Sequence, residues 1–123
     1  LDFGAMGGTN FSKLELHRAN KTDQELFEPL AFTGHTAEEM LWFVNDILDD
    51  EHARIACKHV IMSGGIRHFL DGYAGIEQLR CPAVYAQGSA FLKHAMGDYD
   101  ALRAYMEGQS RGLLLAKAYL KVR

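Results

Sequence analysis

The sequence predicts an α/β fold in which short parallel strands alternate with helices. Three stretches that can form strands, residues 1–3, 59–62 and 83–87, each run into a glycine-containing loop. Segments of helical character separate these units along the chain. This order is typical of parallel α/β units, because the helix returns the chain to the end of the sheet where the next strand starts.

The bulk composition limits the class of protein. With 123 residues, of which 48% are hydrophobic and 24% charged, the chain suits one small globular domain, and we expect a single segment over residues 1–123. A net charge of −3 without a basic cluster predicts no nucleic-acid partner. The apolar runs are too short to cross a bilayer. Cys57 and Cys81 lack a paired spacing and are interpreted as buried thiols of a cytoplasmic protein.

The first residues, "LDFGAMGGTN", resemble the end of a buried strand followed by a glycine loop. Domains do not usually begin inside their own core. The sequence therefore predicts that the chain is the C-terminal part of a longer protein.

The first half of the chain contains one strong helix signal. Residues 1–3 are predicted as a strand and 4–9 as a loop, and weak helical turns are expected in 12–18 and 23–27. A helix is predicted from Thr36 to about Asp49 or Asp50, because Thr36 stands three residues before Glu39 as in a capping box. Apolar residues continue this helix at helical spacing: Met40, Val44, Ile47 and Leu48.

The second half repeats the strand and helix order. Residues 59–62 are predicted as a strand, 70–79 as a helix that ends before Pro82, 83–87 as a strand and 90–96 as a helical turn. Asp98 or Asp100 would cap a last helix, in which Gly108 and Gly112 are expected to weaken the middle. Its apolar face would hold Leu102, Met106, Leu113, Ala116 and Leu120.

Three loops, "GAMGGT", "SGGIR" and "QGSA", follow the predicted strands. In parallel sheets ligands bind beyond the carboxyl ends of the strands, so these loops are expected to converge on one site. The pair Gly64 and Gly65 lets backbone N–H groups approach an anion, which indicates a phosphate. On the alternative interpretation, each of these glycines is needed only for the geometry of a tight turn. Neither a G-x-G-x-x-G fingerprint after a strand nor a P-loop lysine is present.

Side chains beside the loops extend the hypothesis. Arg67 would add charge-assisted hydrogen bonds to the anion, or be a solvated surface residue. Thr9 and Ser89 offer hydroxyls, or would simply cap helices. His59, His68 and the other histidines lack a metal-ligand spacing, so no metal site is predicted from this chain.

Three motifs in order resemble those of one family. "LDFGAMGGTNFSKLELHRANK" resembles the stretch that type II isopentenyl-diphosphate isomerases write as V-D-V-S-G-R-G-G-T-S-[WF]. "SGGIRHFLD" is similar to their A-S-G-G-[IL]-R-x-x-L-D, and "AVYAQGSAFL" to their A-V-G-x-[AS]-[GR]-x-[FM]-L. The resemblance covers residues 1–92 with gaps, and a C-terminal helical tail is also expected.

The resemblance implies the C-terminal part, strands six to eight, of a (β/α)8 TIM barrel that carries FMN. Such enzymes interconvert isopentenyl and dimethylallyl diphosphate in isoprenoid biosynthesis, with reduced FMN, a reductant such as NADPH, and Mg²⁺ on the diphosphate. The full-length protein would be a cytoplasmic homo-oligomer. The FMN contacts carried over to this chain are Thr9, Gly64, Gly65, Ile66, Arg67, Gly88 and Ser89.

The chain departs from the family pattern at one motif. Gly4-Ala5-Met6 replaces the family's S-G-R, so a serine hydroxyl and an arginine near the flavin are lost. One extra residue around Tyr85 to Gln87 would shift the placement of Gly88 and Ser89 by one. The catalytic and magnesium-binding residues implied by the resemblance would lie upstream of Leu1.

Two other readings remain open. An FMN-dependent 2-hydroxy-acid oxidase or dehydrogenase has a similar G-G-x-R strand end, but usually an aspartate where this chain has Ser63. The other reading is a non-catalytic half-barrel that binds a phosphate or assembles with a partner.

Overall fold

The computed structural model describes residues 1–52 and 54–122 of the chain. The first part of the chain is helical, and strands and helices alternate after it. In chain order they are α1 (Phe11–Leu16), α2 (Lys21–Phe27), a 3₁₀ helix (Glu28–Phe32), α3 (Ala37–Asp49), β1 (Val60–Met62), α4 (Phe69–Gln78), β2 (Ala83–Tyr85), α5 (Ser89–Ala95) and α6 (Tyr99–Tyr119).

The strands form a small parallel sheet. β1 pairs with β2 in parallel, with Ile61 opposite Val84. Parallel pairing of the second and third predicted strands is therefore confirmed, and α4 forms the crossover between them. The first predicted strand is reduced to one parallel bridge between Asp2 and Ile61. Around this bridge the Phe3 N–H donates to the Ile61 carbonyl at 3.0 Å, and the Ile61 N–H donates to the Leu1 carbonyl at 2.7 Å.

The core lies between this sheet and α3. The capping box is present, because the Thr36 hydroxyl accepts from the Glu39 N–H and the Glu39 carboxylate accepts from the Thr36 N–H. α3 buries Leu41 and Val44. The cluster that they join consists of Phe3, Ala5, Leu41, Val44, Val60, Met62, Ile66 and Leu79.

The last helix packs on α4 at a glycine. α6 is continuous through Gly108 and Gly112. Gly112 is buried, and a Cβ there would lie 2.4 Å from Cε1 of Phe69 on α4. Ala116 is buried as predicted, but Met106 is 50% exposed and Leu120 is 48% exposed. The helix therefore approaches α4 closely at Gly112, and two of the larger residues of the predicted face are exposed.

Several local predictions are corrected. α1 begins at Phe11, one residue before the predicted 12–18 turn, and α2 begins at Lys21 instead of residue 23. Of the two predicted caps of α6, Asp98 is confirmed, because its side chain accepts from the Ala101 N–H. Cys57 is exposed and Cys81 is half-buried, so the prediction of two buried thiols is wrong.

The longest helix of the described residues, α6, carries five charged residues: Asp100, Arg103, Glu107, Arg111 and Lys117. Among the helices of the described part of the chain, none has the length and apolar character needed to cross a bilayer.

A candidate anion-binding corner

Three loops meet at the carboxyl ends of the strand segments, as the sequence predicts. They follow the bridge at Asp2, β1 and β2, and are called here loop A (4–9), loop B (63–67) and loop C (86–89). Together with α5 they enclose a cavity of about 400 Å³, called here the corner. It is lined by Gly7, Gly8, Thr9, Gly64, Gly65, Ile66, Ala86, Gly88, Ser89 and Leu92. Six of the seven predicted contact residues thus line one cavity, and Arg67 does not.

Loops A and B are in direct backbone contact. A Cβ on Gly64 would lie 2.0 Å from the Ala5 carbonyl oxygen, and a Cβ on Gly7 would lie 2.7 Å from the Gly65 Cα. Gly64 and Gly65 also have φ values of +90° and +75°, which side-chain-bearing residues rarely adopt. The double glycine is therefore needed for the packing of the two loops, whether or not a ligand binds.

A hydrogen-bonded latch joins the same two loops. The Gly4 N–H lies 2.9 Å from the Ser63 Oγ and 3.1 Å from an Asp2 carboxylate oxygen. The Ser63 hydroxyl donates to Asp2, and the Ala5 N–H donates to the Ser63 carbonyl at 3.1 Å. The Ser63 hydroxyl and then the Gly4 N–H hold the pKa of the Asp2 carboxyl below its ordinary value. Loops A and B therefore form one connected half of the corner, through side chains that the sequence analysis did not assign to the site.

Gly88 differs from the glycines of the other two loops. Its φ of −93° and ψ of −68° are accessible to any residue. A Cβ built on it would have no heavy atom within 4 Å. Neither the backbone conformation nor the packing of the chain requires glycine here. Its missing side chain leaves open space at the wall of the corner.

The wall of the corner also carries backbone donors. Within residues 1–52 and 54–122, the N–H groups of Gly64, Gly65 and Ile66 make no hydrogen bond to a backbone acceptor. The next N–H in the chain, that of Arg67, donates to the Asp71 carboxylate at 3.0 Å. Ile66 is buried, Gly64 half-buried and Gly65 exposed, and three successive N–H groups without a backbone acceptor are suited to an anion.

The capping alternative for the two hydroxyl residues is wrong. Asn10, not Thr9, caps α1, and its side chain accepts from the Lys13 N–H at 2.9 Å. Gly88, not Ser89, is the N-cap of α5 and makes no side-chain capping bond. The Thr9 and Ser89 hydroxyls are thus free of the capping role while their residues line the corner.

The electrostatics of the corner come from the backbone. No charged side chain is among the lining residues in the described part of the chain. Arg67 is exposed, and its carbonyl oxygen lies 3.5 Å from the Tyr105 hydroxyl. His68 caps α4 through its Nδ1, which accepts from the Asp71 N–H. In residues 1–52 and 54–122, no group of three or more His, Cys, Asp or Glu residues is arranged to hold a metal ion.

Two larger cavities do not coincide with the predicted residues. One of about 440 Å³ lies between β2, α4 and α6 and has a mainly apolar lining, including Ile76, Val84 and Leu113. Another of about 520 Å³ lies along α1 and α2, beside Phe11 and Phe27. We take the corner as the candidate site because it alone among these three combines free backbone donors with the predicted loops.

Comparisons of the chain with protein-family models, with curated proteins and with solved structures gave no match.

Proposed function

We propose that the corner binds the phosphate group of FMN, and that the chain is the C-terminal part of an FMN-dependent isopentenyl-diphosphate isomerase. The observation that carries the phosphate proposal is the convergence of three glycine loops on one cavity with unpaired N–H donors. The family assignment rests on the three sequence motifs, each of which supplies one of these loops.

The order of the strands is compatible with this assignment. The Asp2 bridge neighbours β1, and β1 neighbours β2, with every pairing parallel. A (β/α)8 barrel places consecutive strands side by side and forms its site at their carboxyl ends. The corner lies at the same ends of the segments described here.

The space beside Gly88 is suited to a phosphate group. The open space there would be filled by any Cβ, and the Gly64, Gly65 and Ile66 N–H groups are available as donors. The hydroxyls of Thr9 and Ser89 would add hydrogen bonds. Arg67 would have to extend its exposed side chain over the opening to add a charge.

In the proposed enzyme, bound reduced flavin would supply proton transfer at the allylic carbon, after reduction by NADPH. This chain would hold and orient the cofactor through its phosphate. Residues upstream of Leu1 would bind the isopentenyl or dimethylallyl diphosphate and Mg²⁺. The acid-base residues would also lie upstream of Leu1. The 123-residue chain alone is therefore expected to be inactive.

A second candidate function, phosphate binding without chemistry, is compatible with the lining of the corner. The residues that line the corner carry no side chain able to act as a general acid or base near pH 7. The 2-hydroxy-acid oxidase reading gains no such support. The position where that family has an aspartate is Ser63, whose hydroxyl is engaged with Asp2.

The test is a titration of the chain with inorganic phosphate and with FMN, comparing Gly88→Ala with Gly108→Ala. Both glycines have open space at the Cβ position, but only Gly88 lines the corner. We expect Gly88→Ala to weaken phosphate and FMN binding about 10-fold or more, because the methyl group would occupy space proposed for the phosphate. Gly108→Ala should bind as the parent does.

Circular dichroism of both variants controls for folding. Binding of both FMN and phosphate supports the proposed FMN site, whereas binding of phosphate alone supports phosphate binding without chemistry. A folded Gly88→Ala chain with parental affinity for both would contradict the proposal.

A further inference from the structure

We infer that Tyr105, on α6, is a positioning residue that holds loop C at a fixed distance from loop B. This inference rests on the proposed anion-binding function of the corner, because it explains how the wall of that site is held together. Tyr105 itself does not line the corner.

The three loops are not held equally. Loops A and B are joined by the Asp2–Ser63 latch and by direct contact between their backbones. For loop C, the described residues provide one backbone hydrogen bond to the neighbouring strand, from the Ala86 N–H to the Met62 carbonyl at 2.9 Å. Gly88, two residues later, has no heavy atom within 4 Å of its Cβ position. Loop C therefore needs support from elsewhere.

Tyr105 contacts both the helix that follows loop C and the end of loop B. Its ring stacks on His94 with centroids 4.1 Å apart and planes inclined by 18°. The same ring meets Phe91 edge-on at 5.2 Å and 81°. His94 and Phe91 both belong to α5, which continues directly from loop C. The Tyr105 hydroxyl lies 3.5 Å from the carbonyl oxygen of Arg67, the last residue of loop B.

The support under Tyr105 is independent of the loops. α6 is fixed to α4 by the close approach of Gly112 to Phe69, and Ala116 is only 2% exposed. The Tyr73 hydroxyl of α4 also donates to the Leu120 carbonyl at 3.0 Å. Because the helix is held at these points, the Tyr105 ring is a fixed reference for α5.

The first experiment measures the affinity of the 123-residue chain for inorganic phosphate in Tyr105→Leu, Tyr105→Phe and the control Tyr99→Leu. Tyr99 lies on the same helix and is 74% exposed. Aromatic pairs contribute about 0.5–1.5 kcal/mol beyond area burial, so we expect Tyr105→Leu to weaken binding about 2-fold to 10-fold. Tyr105→Phe should lose less because it keeps the ring, and Tyr99→Leu should change nothing.

Double-mutant cycles separate positioning from general loosening. Tyr105→Leu should be coupled to Ser89→Ala in loop C and additive with Thr9→Ala in loop A. Equal coupling to both, or none to Ser89→Ala, would overturn the inference.

Amide hydrogen exchange tests the same role without a ligand. In Tyr105→Leu, exchange at residues 87–92 should accelerate, while residues 5–9 and 64–66 exchange as in the parent. If this pattern appears but the parent binds no phosphate, the anion-binding proposal fails and the positioning role of Tyr105 is retained. Unchanged exchange at 87–92, or a uniform increase along the chain, would overturn the inference.

Discussion

The contact between α4 and α6 can be tested by adding one methyl group at two positions of the same helix. Gly112 and Gly108 both lie inside α6, so alanine at either position gains helix propensity of about 0.8–1.0 kcal/mol. Their surroundings differ. A Cβ on Gly112 would lie 2.4 Å from a ring atom of Phe69, whereas a Cβ on Gly108 would have no heavy atom within 4 Å.

The expected magnitude follows from this difference. Overpacking a tight contact costs about 1–3 kcal/mol, since the ring or the helix must move. Gly112→Ala should therefore lower the free energy of unfolding by about 0–2 kcal/mol after the propensity gain is subtracted. Gly108→Ala should raise it by up to about 1 kcal/mol. Because the propensity gain cancels between the two variants, their difference of about 1–3 kcal/mol isolates the contact with Phe69.

The assay is urea unfolding followed by circular dichroism, with equal slopes required for the comparison. The double variant Gly112→Ala, Phe69→Leu should recover part of the difference, because the smaller side chain makes room for the methyl group. Equal stability of the Gly108→Ala and Gly112→Ala chains would refute the close packing of α6 on α4.

Two further predictions concern the half of the corner formed by loops A and B. Gly64→Ala should destabilise the chain more than Gly4→Ala. Both glycines have positive φ, which costs an alanine about 1–2 kcal/mol, but only a Cβ on Gly64 would also meet the Ala5 carbonyl. Equal losses of unfolding free energy in urea would argue against this contact. The pKa of Asp2 is lowered in the folded chain, so its carboxylate stabilises the fold at pH values above the ordinary pKa of 3.8. This stabilisation is lost as the pH falls through the folded-state pKa. Asp2→Asn should flatten the stability profile between about pH 5 and 2, and an unchanged profile would contradict the role of the latch.

The sequence by itself determined the elements whose signals are local. Thr36 and Glu39 are close in the chain, so the capping box could be recognised without knowing the fold. The order of strand, glycine loop and helix also predicted that the loops would meet, because parallel strands place their carboxyl ends at one edge of the sheet.

Tertiary structure decided what each glycine does. Gly64 and Gly112 are constrained by Ala5 and Phe69, residues far away along the chain, while Gly88 meets nothing. In the sequence, all three are equally plausible as turn, packing or ligand positions. Tertiary structure also set the exposure of Cys57, which the sequence predicts to be buried. Local patterns encode backbone preference, whereas these outcomes depend on which distant atoms the fold brings within contact distance.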